Sequence, residues 1–112
     1  MADWTDGRSA EDTRAEREAA VAVAVAWLMG IARAFRIDAA RKVRLDQEIR
    51  TAQVDLIRAI LLACTDGLTV GDLRARFIDP VLRHADANDG GPALLAETVR
   101  LVEQRLTRAS GA

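Results

Sequence analysis

Tyrosine is absent from this 112-residue chain, and cysteine, histidine and lysine occur once each. A single thiol excludes a disulfide framework and any zinc or iron–sulfur site built from several cysteines. A single histidine, His84, with no cysteine nearby would need several carboxylates to hold zinc, and no Glu-x-x-His pattern suggests a di-iron bundle. Only two prolines and seven glycines are present, which excludes collagen-like and low-complexity sequences. Aromatic residues make up 4% of the chain, too few for a base-stacking surface. Neither sign of charge dominates, since sixteen basic residues face seventeen acidic ones. No glycine-rich phosphate loop occurs, and neither Ser9 nor Ser110 sits in a nucleophile motif.

What is there is apolar and rich in small residues. Half of the chain is hydrophobic, and 22 of those residues are alanine. That content with a net charge of −1 is wrong for a disordered chain and fits one globular domain. The longest stretch without a polar side chain, Ala19 to Ala32, has 14 residues. A membrane span needs about 20 strongly apolar residues, so a buried helix is expected there instead. The N-terminus carries acids where an export signal would carry bases, and the expectation is a cytoplasmic protein. Cys64 lies in an apolar run and reads as a small core residue rather than a nucleophile.

The pattern predicts an all-α fold: an elongated bundle of about four helices, with a short frayed tail at 1–8 and a single helical domain at 9–110. Ser9 and Asp12 have capping-box spacing, opening a helix from Ala10 to Ile37. Its Val-Ala alternation at 21–26 has the period of a strand. The small members are alanines, the strongest helix formers, so helix is preferred. A second helix is expected from an N-cap at Asp38 to the Asp66-Gly67 turn, with Leu45, Ile49, Ala52, Leu56, Ala59 and Ala63 as its seam. Val54, Ile57, Leu61 and Cys64 suggest a second buried face on it. Thr69 and Asp72 cap a third helix, which Pro80 kinks or restarts. A turn at 88–91 precedes a C-terminal helix with Leu94, Leu95, Val99, Leu101, Val102 and Leu106 as its buried stripe.

The first two helices are longer than a compact domain of this size, so they are expected to form a long antiparallel hairpin. The first helix is apolar all around its centre and must be covered on every side. A homodimer is the expected solution, with Val21, Val23, Val25, Trp27, Leu28 and Ile31 as its interface.

Candidate chemistry is sparse. Arg33, Arg36, Arg41, Lys42 and Arg44 form the one concentration of basic residues, the pattern of a phosphate or nucleic-acid contact. Helical spacing supplies acids for much of this region, pairing Asp38 with Lys42, Arg44 with Glu48, Asp46 with Arg50 and Asp55 with Arg58. A self-paired solvated face is therefore preferred. Residues 66–77 resemble the first helix of a helix-turn-helix but lack its turn glycine and polar recognition helix. Residues 86–97 match part of a calcium loop through Asp86, Asn88, Gly91 and Glu97. Gly90 and Leu94 occupy two of its ligand positions, so an interhelical turn is preferred. His84 reads as a surface residue or a cation near a helix C-terminus.

These patterns lead to an interaction protein, acting as adaptor, assembly subunit or small regulator, with no catalytic site, cofactor or metal. A nucleic-acid-associated regulator using 33–44 is the alternative. An apolar ligand held among Trp27, Phe35 and Phe77 is a further one.

Overall fold

The structure, a computed structural model, describes residues 9–37, 42–85 and 90–111, with side chains described for 9–33, 46–85 and 90–109. The expected tail at 1–8 and the Asp38 N-cap lie outside the described residues. The fold is an all-α bundle, with no strand among the described residues. Helix α1 spans Ala10–Ile37 and α2 spans Lys42–Thr65. A bent helix follows, made of α3 (Val70–Leu73), a π-helical turn (Arg74–Ile78) and α4 (Asp79–His84). Helix α5 spans Gly91–Gly111.

Local chemistry explains most boundaries. At the start of α1 the Ser9 N–H donates to Asp12 Oδ2 (3.2 Å) and the Asp12 N–H to Ser9 Oγ (3.1 Å), a reciprocal capping box. Helix α2 ends at Gly67, whose φ of +96° lies in the left-handed region that glycine enters without a steric penalty. There the Leu68 N–H donates to the Ala63 carbonyl (3.0 Å) and the Gly67 N–H to that of Cys64 (3.2 Å), a Schellman closure. Thr69 caps α3 by accepting from the Asp72 N–H (3.1 Å).

Pro80 acts as the sequence predicts, with an added feature. Its ring conflicts with the carbonyl four residues earlier in a regular α-helix. Here the turn before it widens, and the Asp79 N–H donates to the Arg74 carbonyl five residues back. The chain stays helical from Val70 to His84. It has no turn that would separate a recognition helix, so the helix-turn-helix likeness ends at the sequence.

Helices α1 and α2 form the main pair. They run antiparallel, and Arg17 near the start of α1 meets Asp66 just after α2 (Nε–Oδ2 2.6 Å). Helix α5 begins beside the far end of α1, where Gly91 lies so close that a Cβ would stand 2.9 Å from the Met29 side chain. It then runs alongside α2, with Gln53 meeting Thr98. The bent helix closes the other end of the bundle. Arg76 reaches Glu18 of α1 (2.8 Å) and Arg74 reaches Glu103 of α5 (2.9 Å). The molecule is elongated, 55 × 34 × 26 Å.

The core is one cluster. Val21, Val25, Leu28 and Ile31 of α1 meet Ala52, Leu56, Ile60 and Ala63 of α2 and Leu95, Val99 and Val102 of α5. Leu73 and Ile78 plug the end. These core residues of each long helix step by three or four, the period of a single face. Thr98 is the one buried polar residue described; its hydroxyl donates to the Leu94 carbonyl (2.7 Å) and accepts from Gln53 Nε2 (3.1 Å). No described buried side-chain polar atom lacks a partner.

Two expected faces are not buried as predicted. Val54 is exposed, and Ile57, Leu61 and Cys64 are half-buried, because α2 is covered mainly by α1 and α5, with α3 touching its end. Leu101 of α5 is exposed for the same reason: it points away from Val99 and Val102. Burial therefore sets the cost of truncation. Leu56→Ala should lower the unfolding free energy by about 2–5 kcal/mol. Leu101→Ala, at an exposed position of α5, should stay within about 0.5 kcal/mol. Urea denaturation followed by circular dichroism checks both.

Candidate interaction face on the α1–α2 layer

The core stripe of α1 occupies one side of the helix. Opposite it lie Ala19, Ala20, Val23, Ala26, Trp27 and Gly30, all exposed. Val23 is 68% exposed and Trp27 61%. No charged residue stands between Glu18 and Arg33, so this outward face is as apolar as the inward one. It continues into a shallow open groove of about 430 Å3 between α1 and α2, whose α2 wall is Ala52, Asp55 and Ala59. Asp55 is the one charged group lining it. Leu62, 48% exposed, lies one turn beyond Ala59 and extends the apolar surface along α2.

Gly30 adds to this picture. A Cβ built there would meet nothing within 4 Å, and its φ is not positive. Neither the backbone nor packing within the chain requires glycine at this position. Yet glycine inside a helix costs about 1 kcal/mol relative to alanine.

The six residues expected at an oligomer interface divide into two sets. Val21, Val25, Leu28 and Ile31 are buried in the chain's own core and present nothing to another molecule. Val23 and Trp27 point outward. The distinction was hidden because Val-Ala alternation leaves both sides of the helix apolar. Which side α2 and α5 cover depends on contacts distant in sequence. Ala19 and Ala20 were missed as surface residues, and the lack of any charge across the run was the signal that could have found them.

Of the basic stretch, Arg33 is exposed and already engaged in an interaction. Arg41 and the side chains of Phe35, Arg36, Lys42 and Arg44 lie outside the described residues, as do the predicted Asp38–Lys42 and Arg44–Glu48 pairs. The Asp46–Arg50 pair forms, at 3.4 Å between largely exposed side chains. Positions 86–89 of the calcium-loop match also lie outside the described residues, while Glu97 is exposed on α5. Among the described residues no group of three or more His, Cys, Asp or Glu side chains could hold a metal ion.

Trp27 and Phe77 do not share a pocket wall in the α1–α2 groove: Trp27 borders it, whereas Phe77 packs half-buried against the core. A second open groove of about 370 Å3 lies at the other end, lined by Ala32, Ile49, Leu94 and the carboxylates of Asp46 and Glu97. His84 is exposed.

No protein-family model, curated protein or solved structure matches this chain. No helix among the described residues is long and apolar enough to cross a membrane.

Cys64 is half-buried, and desolvation pushes its thiol above the ordinary value. The thiolate fraction at neutral pH falls accordingly, and the thiolate is the reactive form. Alkylation by iodoacetamide at pH 8 should be several-fold slower in the folded chain than in urea. Equal rates in the two states would show that the fold does not shield it.

Proposed function

We propose that this chain is a non-catalytic helical interaction protein that works by self-association through the outward face of α1 and the adjoining edge of α2. The observation that carries the reading is the outward side of α1 between Ala19 and Gly30, which holds no charged residue while Val23 and Trp27 stand in solvent. Isolated apolar residues on a surface need no explanation, but a contiguous patch does. This patch crosses two helices and includes a tryptophan, a residue type enriched among those that contribute most to binding. The groove beside it is shallow and lacks the cluster of polar groups that orients a small substrate. A role as adaptor, assembly subunit or small regulator is consistent with such a surface.

The single chain has a mass of 12.2 kDa. Light scattering coupled to size exclusion should return a multiple of this mass at micromolar concentration. The double substitution Val23→Glu/Trp27→Glu should reduce it to one chain without loss of helicity, because both side chains lie outside the core. A wild-type protein that remains a single chain at the highest soluble concentration would overturn the reading.

A further inference from the structure

We propose that the occupant of this face is a second copy of the chain whose α1 runs antiparallel to the first, with Glu16 of each chain beside Arg33 of the other. This rests on the self-association reading above and adds the direction and register of the contact.

The direction comes from charge. Before the apolar run, residues 10–18 carry four acids (Glu11, Asp12, Glu16, Glu18) and two arginines, a net charge of −2. After it, residues 33–37 carry two arginines and no acid, a net charge of +2. A parallel α1–α1 contact would set acid beside acid and arginine beside arginine. An antiparallel contact sets each acidic end beside a basic one, twice over by the two-fold symmetry of such a dimer. Complementary charges of this kind set orientation and register more than raw affinity. Glu16 and Arg33 already have interactions within the chain, and the long-range attraction does not require either to be free.

The register comes from size. Glu16 and Arg33 are placed symmetrically about a point between Ala24 and Val25. About that same point Ala19 mirrors Gly30, and Val23 mirrors Ala26, all four exposed. Gly30, with open space where a Cβ would be, thus faces the small Ala19, and two helices can approach closely there. Trp27 falls within one turn of Ala20 and Val23 of the second copy, where small neighbours leave room for its ring. A close approach of this kind also explains a mid-helix glycine that the single chain does not use.

The test combines charge exchange with cross-linking. In sedimentation equilibrium, Glu16→Arg and Arg33→Glu should each weaken the dimer about tenfold, because two exposed pairs turn from attraction to repulsion. Glu16→Arg/Arg33→Glu together should restore it to within about threefold, since the pairs re-form with exchanged signs. A parallel dimer would instead be unaffected by either single change, because like charges still face each other.

In a Cys64→Ser background, Ala19→Cys and Gly30→Cys chains should form the mixed disulfide when combined and little homodisulfide when oxidised alone. Homodisulfides at both positions, or single changes without effect on a stable dimer, would overturn the antiparallel arrangement and leave self-association standing. A protein that stays monomeric would overturn both, leaving the face to a different partner. Circular dichroism of each variant separates loss of association from loss of fold.

Discussion

Everything in this molecule depends on the apolar seam between α1 and α2. Val21, Val25 and Leu28 on one helix meet Ala52, Leu56, Ile60 and Ala63 on the other. Two of these four α2 residues are alanines, which bury little area themselves but let the α1 backbone come close. Larger residues on both helices would push the axes apart and open voids, which close-packed interiors do not tolerate. With the hairpin set, α5 has a groove to fill, and Leu95, Val99 and Val102 fill it. The third side of α1 then has no helix among the described residues to cover it. Three long helices can cover each other only in part, and the uncovered part of α1 is still apolar.

The short segment at 70–84 shows how one proline can shape the closure of a bundle. Because Pro80 cannot continue a regular turn, the preceding residues widen into a π-turn without leaving the helix. Leu73 and Ile78 keep to the buried side, while Arg74 and Arg76 reach Glu103 of α5 and Glu18 of α1. These ion pairs are largely exposed, and each contributes about 1 kcal/mol or less. Their value is in geometry: they hold the closing segment against two helices of opposite direction. The same widening gives continuous helix where a helix-turn-helix would require a turn.

Much of the fold was legible in the sequence. The limits of α1 followed from the Ser9–Asp12 capping box and from Asp38, read as the N-cap of the next helix. The end of α2 followed from Asp66-Gly67, and the irregularity within the third helix from Asp79-Pro80. In each case a local rule of capping, glycine conformation or proline sterics decides the outcome, and such rules act over a few residues. The faces of the helices were less legible. Val54 and Leu101 carry the same apolar side chains as buried neighbours, and Val23 differs in no local way from Val21 or Val25. The candidate face was half visible, as a run with no charge, but which of its residues point outward was not.

By itself the sequence determined an all-α chain, the capped starts of α1 and α3, the glycine at the end of α2, the long first helix with no polar side, and the opposite charges at the two ends of that run. These follow from propensity, periodicity and composition, all of which are local. Only the tertiary structure decided which side of α1 became core and which stayed in solvent. That choice is made by contacts between residues far apart in the chain, and a helix equally apolar on both sides carries no local preference between them.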